Sequence, residues 1–139
     1  QDIQGLMPSP KVARWSVRRG DDEPELPGAP DGDTVDIVRR TMSEQVGVIR
    51  TGAGLARALA TFEGLAARTR DVATINTLTA ARLVAAAAWA RRESRGGHYR
   101  SDFPTSEPAL ARRSHLTLAD VRRLSAEAAA PLDTEALPA

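Results

Sequence analysis

With 139 residues, the chain has room for one domain and one modest core, because a chain of this size buries roughly two thirds of its unfolded surface. Its 19 basic and 18 acidic side chains give a formal net charge of +1, which excludes a global positive field of the kind that drives non-specific binding to nucleic acid. Cysteine is absent and histidine occurs twice, which excludes disulfides and sulfur-based zinc sites, argues against a histidine metal site and fits a cytoplasmic location.

Residues 1–32 are predicted to form an extended linker, because five of the nine prolines fall between Pro8 and Pro30 and proline cannot donate a helical hydrogen bond. Trp15 is expected to lie against a neighbouring surface, since an indole left in water forfeits on the order of 2 to 3 kcal/mol of burial. The chain begins with Gln1, so we expect either that processing removed a segment or that the chain is a piece of a longer protein. It has no secretory-signal pattern, and no stretch approaches the ~18 to 20 apolar residues that span a bilayer, so no membrane contact is expected.

The first two helices are predicted from apolar residues that recur at helical spacing. The first begins after a cap at Asp33 or Thr34. Its apolar face comprises Val35, Val38, Met42, Val46 and Ile49. The second follows a short break and runs from Gly52 to about Arg68. Its buried stripe comprises Leu55, Leu59, Phe62 and Leu65.

A third and longer helix is predicted from a cap at Asp71 to about Arg95. Its apolar face comprises Ile75, Leu78, Ala81, Ala85 and Ala88. The alanines have little side-chain volume, so a neighbouring element can approach closely. Gly96 and Gly97 are expected to end this helix, because glycine adopts the left-handed conformation of a helix C-terminus at low cost.

A short fourth helix is predicted after a loop that contains proline. Thr117 and Asp120 resemble a capping box, and Pro131 would end the helix. Its apolar residues are Leu118, Val121 and Leu124. The predicted fold class is therefore all-α: an antiparallel three-helix bundle at residues 33–104, with an extended N-terminal linker, and with a loop and the short C-terminal helix in residues 105–139.

The stretch VGVIRTGAGLARAL invites a different interpretation, because a dinucleotide-binding fold also opens with an apolar strand, a glycine turn and an alanine-rich helix. The third glycine of that fingerprint is missing, since Arg57 stands at its position. Val46 and Ile49 also complete the helical stripe that begins at Val35. We therefore expect no nucleotide site here.

The segment RRESRGGHYRSDFP, residues 91–104, holds four arginines, a histidine and two glycines in one short run. One interpretation of it is structural. Arginines in the last turn of the third helix interact favourably with the helix dipole. Ion pairs in a network of Glu93, Arg95, Arg100 and Asp102 would then pin the loop to the bundle or to another domain.

Two functional interpretations compete with the structural one. Nucleic-acid binding would use the arginines for phosphate and Tyr99 or Phe103 for stacking, but acidic residues are interleaved. A catalytic site would pair His98 with Arg95 or Arg100. The segment offers no nucleophile, carboxylate pair or glycine-rich phosphate cradle, so we predict no catalytic, cofactor-binding or metal-binding residue in this chain.

The same segment closely resembles a family signature, R-x-E-S-R-G-x-H-x-R-x-D-F-P, near the C-terminus of the succinate dehydrogenase, fumarate reductase and L-aspartate oxidase flavoproteins. Upstream, MSEQVGVIRTGAGLARAL is similar to the V-G-I-V-R-x-x-x-x-L-x-x-A-L pattern at the family's first helix junction. The opening DIQG is similar to the last turn of a flavin-domain helix. The resemblance covers residues 33–104 well and the linker and tail poorly.

This resemblance implies the C-terminal helical domain of such an enzyme. The flavin domain, which binds FAD, and the substrate-capping domain would precede Gln1. The L-aspartate oxidase branch fits best, because the sequence after D-F-P runs into a helix instead of the acidic stretch and β-rich tail of the respiratory flavoproteins. For the parent enzyme it implies oxidation of L-aspartate to iminoaspartate for NAD synthesis. Oxygen or fumarate would accept the electrons.

No substrate or flavin residue of the family is carried over to this chain. The resemblance implies interdomain and loop-fixing roles for the signature residues Arg92, Glu93, Ser94, Arg95, His98, Arg100 and Asp102. The isolated chain is expected to be inactive and to bind its own flavin and capping domains. Two alternatives stay open: the same domain of a fumarate reductase or succinate dehydrogenase flavoprotein, and a free-standing helical module that binds protein or RNA.

Overall fold

The computed structural model describes residues 30–130. In chain order, its elements are α1 (Gly32–Gln45), β1 (Ile49–Arg50), α2 (Gly52–Ala66), α3 (Val72–Ala90), β2 (Tyr99–Arg100), a 3-10 helix (Pro108–Leu110) and α4 (Leu118–Ala129). The predicted linker with Trp15, and the predicted stop at Pro131, lie outside the described residues.

The helices begin at polar caps. The side chains of Thr51 and Asp71 accept hydrogen bonds from the first turns of α2 and α3, and the predicted capping box of Thr117 and Asp120 is confirmed. The predicted cap of α1 was wrong by two or three residues. Asp31 takes that place, because its carboxylate accepts both the Asp33 N–H and the Thr34 hydroxyl.

The core lies between α2 and α3. Leu55, Leu59 and Phe62 of α2 are at most 1% exposed, and small residues of α3 lie among the buried set. Helix α4 packs against both α2 and α3. The mostly helical prediction is therefore confirmed, but a fourth helix joins the core and two short strands are added. The antiparallel arrangement stays a prediction.

Two helix ends were predicted wrongly. Helix α1 stops at Gln45, so Ile49 lies in β1 and is 69% exposed. The carbonyl of Val46, just after the helix, is bound by the guanidinium of Arg50, which turns the chain out of the helix. Helix α3 stops at Ala90, so the arginines of the signature segment follow the helix instead of forming its last turn.

The predicted apolar faces also need correction at two positions. Ile75 of α3 is 40% exposed, and its neighbour Thr74 is fully buried in its place. The Thr74 hydroxyl accepts the Asp31 N–H at 2.9 Å, so a polar contact with the start of α1 sets the orientation of this turn. Leu118, the first residue of α4, is 49% exposed.

Helix α3 corrects the expectation about apolar stretches. By length and composition it could cross a membrane, and within residues 30–130 it is the one helix that could. It contacts each of the other three α-helices. The core helix of a water-surrounded domain passes the same test, so α3 carries no inference about a membrane.

The two strands bring distant parts of the chain together. They pair in parallel, with Ile49 opposite Tyr99 and Arg50 opposite Arg100. The Ser101 N–H extends the pairing by donating to the Arg50 carbonyl at 2.9 Å. The junction between α1 and α2 is thereby fixed to the segment that follows α3.

Candidate functional site

We call residues 91–107, between α3 and the 3-10 helix, the arginine loop. Its centre is Glu93, which is fully buried. The Glu93 carboxylate accepts hydrogen bonds from the guanidinium groups of Arg91 and Arg95, the latter through Nε and Nη2 at 3.0 to 3.2 Å. It also accepts the Glu107 N–H at 2.9 Å. One carboxylate therefore ties the beginning of the loop to its end.

These contacts hold Glu93 in its charged form. The Arg95 hydrogen bond, followed by the Glu107 N–H and Arg91, outweighs the opposing effect of burial and lowers the pKa of Glu93 to about 2. The same arginines bind backbone oxygens, since Arg91 donates to the Leu110 carbonyl at 3.0 Å and Arg95 to the Glu107 carbonyl at 3.1 Å. Both arginines therefore bind groups of the loop itself or of the 3-10 helix that follows it.

A second ion pair joins the loop to two helix ends. Arg100 is 2% exposed and binds Asp102 through two parallel hydrogen bonds of 2.8 and 2.7 Å. Its remaining terminal nitrogen donates to the carbonyls of Ala88 and Trp89, in the last turn of α3. The guanidinium carbon also lies 5.0 Å from the centre of the Phe103 ring. This geometry uses the planar fork of arginine, which lysine lacks.

Asp102 continues the bridge to α2. Its Oδ2 accepts the N–H of Gly52, the first residue of that helix, at 2.9 Å. The Arg100 hydrogen bond first, and then the Gly52 N–H, lower the pKa of Asp102 to about 2. The cation thus lies at the negative end of α3 and the anion at the positive end of α2, where each helix dipole favours it.

The middle of the loop is a tight turn from Arg95 to His98, closed by two backbone hydrogen bonds of 2.8 and 3.0 Å. Gly96 has a φ of +57°, in the left-handed region that favours glycine. Ser94 supports the turn: its hydroxyl accepts the Arg100 N–H at 2.9 Å and donates to the Phe103 carbonyl at 2.8 Å.

His98 lies between two groups that define its tautomer. Its Nδ1 is 3.1 Å from Nη1 of Arg50, which can only donate, so Nδ1 accepts. The proton is then on Nε2, which donates to the Arg91 carbonyl at 3.1 Å. Burial first, and then the charges of Arg50, Arg100 and Arg91, lower the pKa of His98, although the Arg91 carbonyl opposes them. The ring is therefore neutral at pH 7.

These contacts bear on both functional interpretations of the loop. Arg100 is buried, and Arg91 and Arg95 share the Glu93 carboxylate, so these three arginines are engaged with the protein instead of presented to phosphate. Both ring nitrogens of His98 are occupied, which argues against proton transfer by this side chain. The geometry favours the structural interpretation of the loop.

Six of the seven predicted signature residues belong to these contacts. Arg92 lies apart: it is exposed, with its guanidinium 5.8 Å from the ring centre of Trp89. Two contributors were missed, since Arg91 binds Glu93 and Arg50 binds His98. The R at the first position of the signature falls on Arg91, and the R of the upstream pattern falls on Arg50, so both patterns already contained the signal.

The glycine turn at the start of α2 does not fit the pyrophosphate of a dinucleotide. At the N-terminus of α2, where a dinucleotide fold would place pyrophosphate, the carboxylate of Asp102 binds the Gly52 N–H. A Cβ at Gly54 would meet the side chains of Gln45 and Thr51 at 3.0 Å, so protein atoms already pack against this glycine.

The chain matches the family model described as fumarate reductase flavoprotein C-term over residues 36–129, a range that includes the arginine loop. It is similar to an L-aspartate oxidase of Rhodospirillum rubrum, with 46% identity over 110 residues that cover 74% of this chain and 40% of that protein. No solved structure matches the chain significantly.

Two further relatives bear the same name. An L-aspartate oxidase of Caulobacter vibrioides is 45% identical over 87 residues, or 63% of this chain and 16% of that protein. One of Mycobacterium leprae is 40% identical over 91 residues, or 63% of this chain and 17% of that protein. The chain thus spans less than half the length of these relatives.

Proposed function

The chain belongs to the family of fumarate reductase flavoprotein C-terminal domains, and we propose that it is the C-terminal helical domain of an FAD-dependent L-aspartate oxidase. The observation that carries this proposal is the 46% and 45% identity to two proteins of that name. The whole enzyme would oxidise L-aspartate to iminoaspartate, a precursor for NAD synthesis. Oxygen or fumarate would reoxidise its FAD.

In this proposal the domain supports the enzyme without taking part in the chemistry. Residues 1–32 connect it to the flavin and capping domains, residues 33–104 form the helical body, and residues 105–139 add the final loop and helix. The buried, internally paired groups of the arginine loop favour this role, because they offer neither a free base nor a free anion site. FAD would be bound by the flavin domain, and the isolated chain would be inactive.

The signature residues act, in this proposal, mainly by fixing the loop. Glu93 and Arg100 use their polar atoms on groups of the same chain. Their effect on another domain is then indirect, through the shape of the surface that they support. The lack of cysteine is compatible with an enzyme of the cytoplasm, which stays a prediction. The same holds for the expectation that neither nucleic acid nor a membrane is a partner.

Anaerobic reduction of the flavin in the intact polypeptide tests the substrate. We expect L-aspartate to bleach the flavin absorbance and succinate to leave it unchanged, with peroxide formed from L-aspartate when air is admitted. Bleaching by succinate alone would contradict the proposal. It would favour the fumarate reductase or succinate dehydrogenase branch, the alternative to which the description of the matched family points.

A further inference from the structure

In the strand pair, the face with charged side chains is turned to the interior and the face with apolar side chains is turned to the surface. In a parallel pair, residues opposite each other project to the same face, so Arg50 and Arg100 share one face and Ile49 and Tyr99 share the other. The arginine face points into the protein, where Arg100 is 2% exposed. The face with isoleucine and tyrosine is turned to the surface, with Ile49 at 69% and Tyr99 at 42% exposure.

Val48, the residue that precedes β1 in the chain, is also apolar and is 81% exposed. We call Val48, Ile49 and Tyr99 the strand patch. Burial of aliphatic side chains of this size is favourable, so leaving adjacent ones in water forfeits stabilisation. A contiguous apolar surface is a common mark of an interaction site, whereas single exposed apolar residues are ordinary.

The chain also shows why the patch faces outward. The inward face of the strand pair is occupied by charged side chains that bind helix ends. Arg100, paired with Asp102, joins the end of α3 to the start of α2, and Arg50 binds the Val46 carbonyl just after α1. These contacts fix both strands so that Ile49 and Tyr99 cannot turn inward. The buried charged contacts and the exposed patch thus lie on opposite faces of the same strand pair.

We propose that the strand patch is the surface on which the flavin-binding part of the same polypeptide docks. The inference rests on the proposed function. The matched family is the C-terminal part of a flavoprotein, and the similar oxidases extend well beyond the matched region, so the occupant is supplied by the same chain. The arginine loop shapes the patch, which contacts an apolar surface of the flavin-binding part.

Hydroxyl-radical footprinting of Tyr99 in the intact flavoprotein tests the docking without any substitution. A covered Tyr99 is expected to be modified at least tenfold more slowly than in the unfolded protein. Labelling at nearly half the unfolded rate, as expected from its 42% exposure in this chain, would overturn the proposal. Protection that is lost on dilution would assign the patch to a second copy of the chain and overturn it equally.

A matched pair of variants of the intact flavoprotein tests the surface itself. Ile49→Glu is expected to raise the labelling of Tyr99 about fourfold, from a tenth of the unfolded rate to the rate expected at 42% exposure, and to speed the loss of FAD. Ile75→Glu makes the same change at another exposed isoleucine, in the first turns of α3, and should stay within twofold of the wild type. Equal effects of the two variants on labelling and FAD loss would show that the strand patch is not part of the interface. A variant that fails to fold leaves the wild-type footprint as the deciding measurement.

These readouts separate the inference from the proposed function, because none of them uses L-aspartate. If Tyr99 is protected but L-aspartate does not reduce the flavin, the docking inference stands and L-aspartate is wrong as the substrate. If the enzyme oxidises L-aspartate but Tyr99 is labelled freely, the proposed substrate stands and the docking inference is wrong.

Discussion

His98 shows how single residues of the arginine loop depend on their charged surroundings. Its Nδ1 accepts from Arg50 and its Nε2 donates to the Arg91 carbonyl, so a second proton has no acceptor and would face a guanidinium. The resemblance to the signature singled out this histidine. Sequence reasoning missed its partner Arg50, which is 48 residues away and is brought near by the strand pair.

We predict that replacing His98 removes a pH dependence of stability. Because the folded-state pKa is lowered, the unfolded chain binds the proton more readily, and stability falls as pH drops below the ordinary histidine pKa of ~6.5. His98→Gln keeps one acceptor and one donor but cannot titrate. Between pH 7 and pH 5, the melting temperature should therefore decrease less steeply with falling pH for His98→Gln than for the wild type.

The matched control is His115→Gln, which changes an exposed histidine outside the arginine loop. It shows whether the change of slope is specific to the arginine loop. A change as large as that of His98→Gln would contradict the effect that we assign to the surroundings of His98.

Gly96 and Gly97 form a second pair for comparison. An added Cβ would meet nothing within 4 Å at either position, but only Gly96 has a positive φ. Gly96→Ala should therefore cost about 1 kcal/mol through backbone strain. Gly97→Ala should be neutral or slightly stabilising, because alanine restricts the unfolded chain. Urea unfolding distinguishes them, and equal costs would show that backbone conformation is not the cause.

At the scale of elements, the ends of α2 and α3 depend on one ion pair. Arg100→Lys should lower the free energy of unfolding by about 3 kcal/mol, because lysine cannot hold Asp102 and the two α3 carbonyls together and a buried charge is left poorly paired. The control Arg39→Lys alters an exposed pair with Asp36 and should cost less than ~0.5 kcal/mol. Similar losses in the two variants, measured by denaturant titration, would refute the bridging role.

The helices show what local sequence determines. Helix α2 and the caps at Asp71 and Thr117 follow from apolar spacing and cap chemistry, and the sequence predicted them closely. The ends of α1 and α3 do not, because they depend on side chains that follow each helix: Arg50 binds the Val46 carbonyl just after α1, and Arg100 binds the Ala88 carbonyl in the last turn of α3. Strands of two residues carry no periodicity to detect, so β1 and β2 could not be predicted.

At the scale of the whole molecule, two carboxylates make the fold sensitive to acid. The folded-state pKa values of Glu93 and Asp102 are about 2, below their usual range near 4. Their stabilisation is therefore complete above pH ~5 and is lost as pH falls from there toward 2. We expect the melting temperature to drop through this window, and less steeply in Glu93→Gln, which starts from a lower stability. A melting temperature that is flat down to pH 2.5 would contradict these ion pairs.

The central claim is that this helical chain completes an L-aspartate oxidase. The most direct test mixes the purified chain with the separately expressed upstream polypeptide and measures FAD binding and L-aspartate-dependent peroxide formation. We predict that each component alone is inactive and that both signals rise on mixing, with less recovery when the chain carries Ile49→Glu. An upstream polypeptide that is fully active alone, and that does not associate with the chain at micromolar concentration, would contradict the claim.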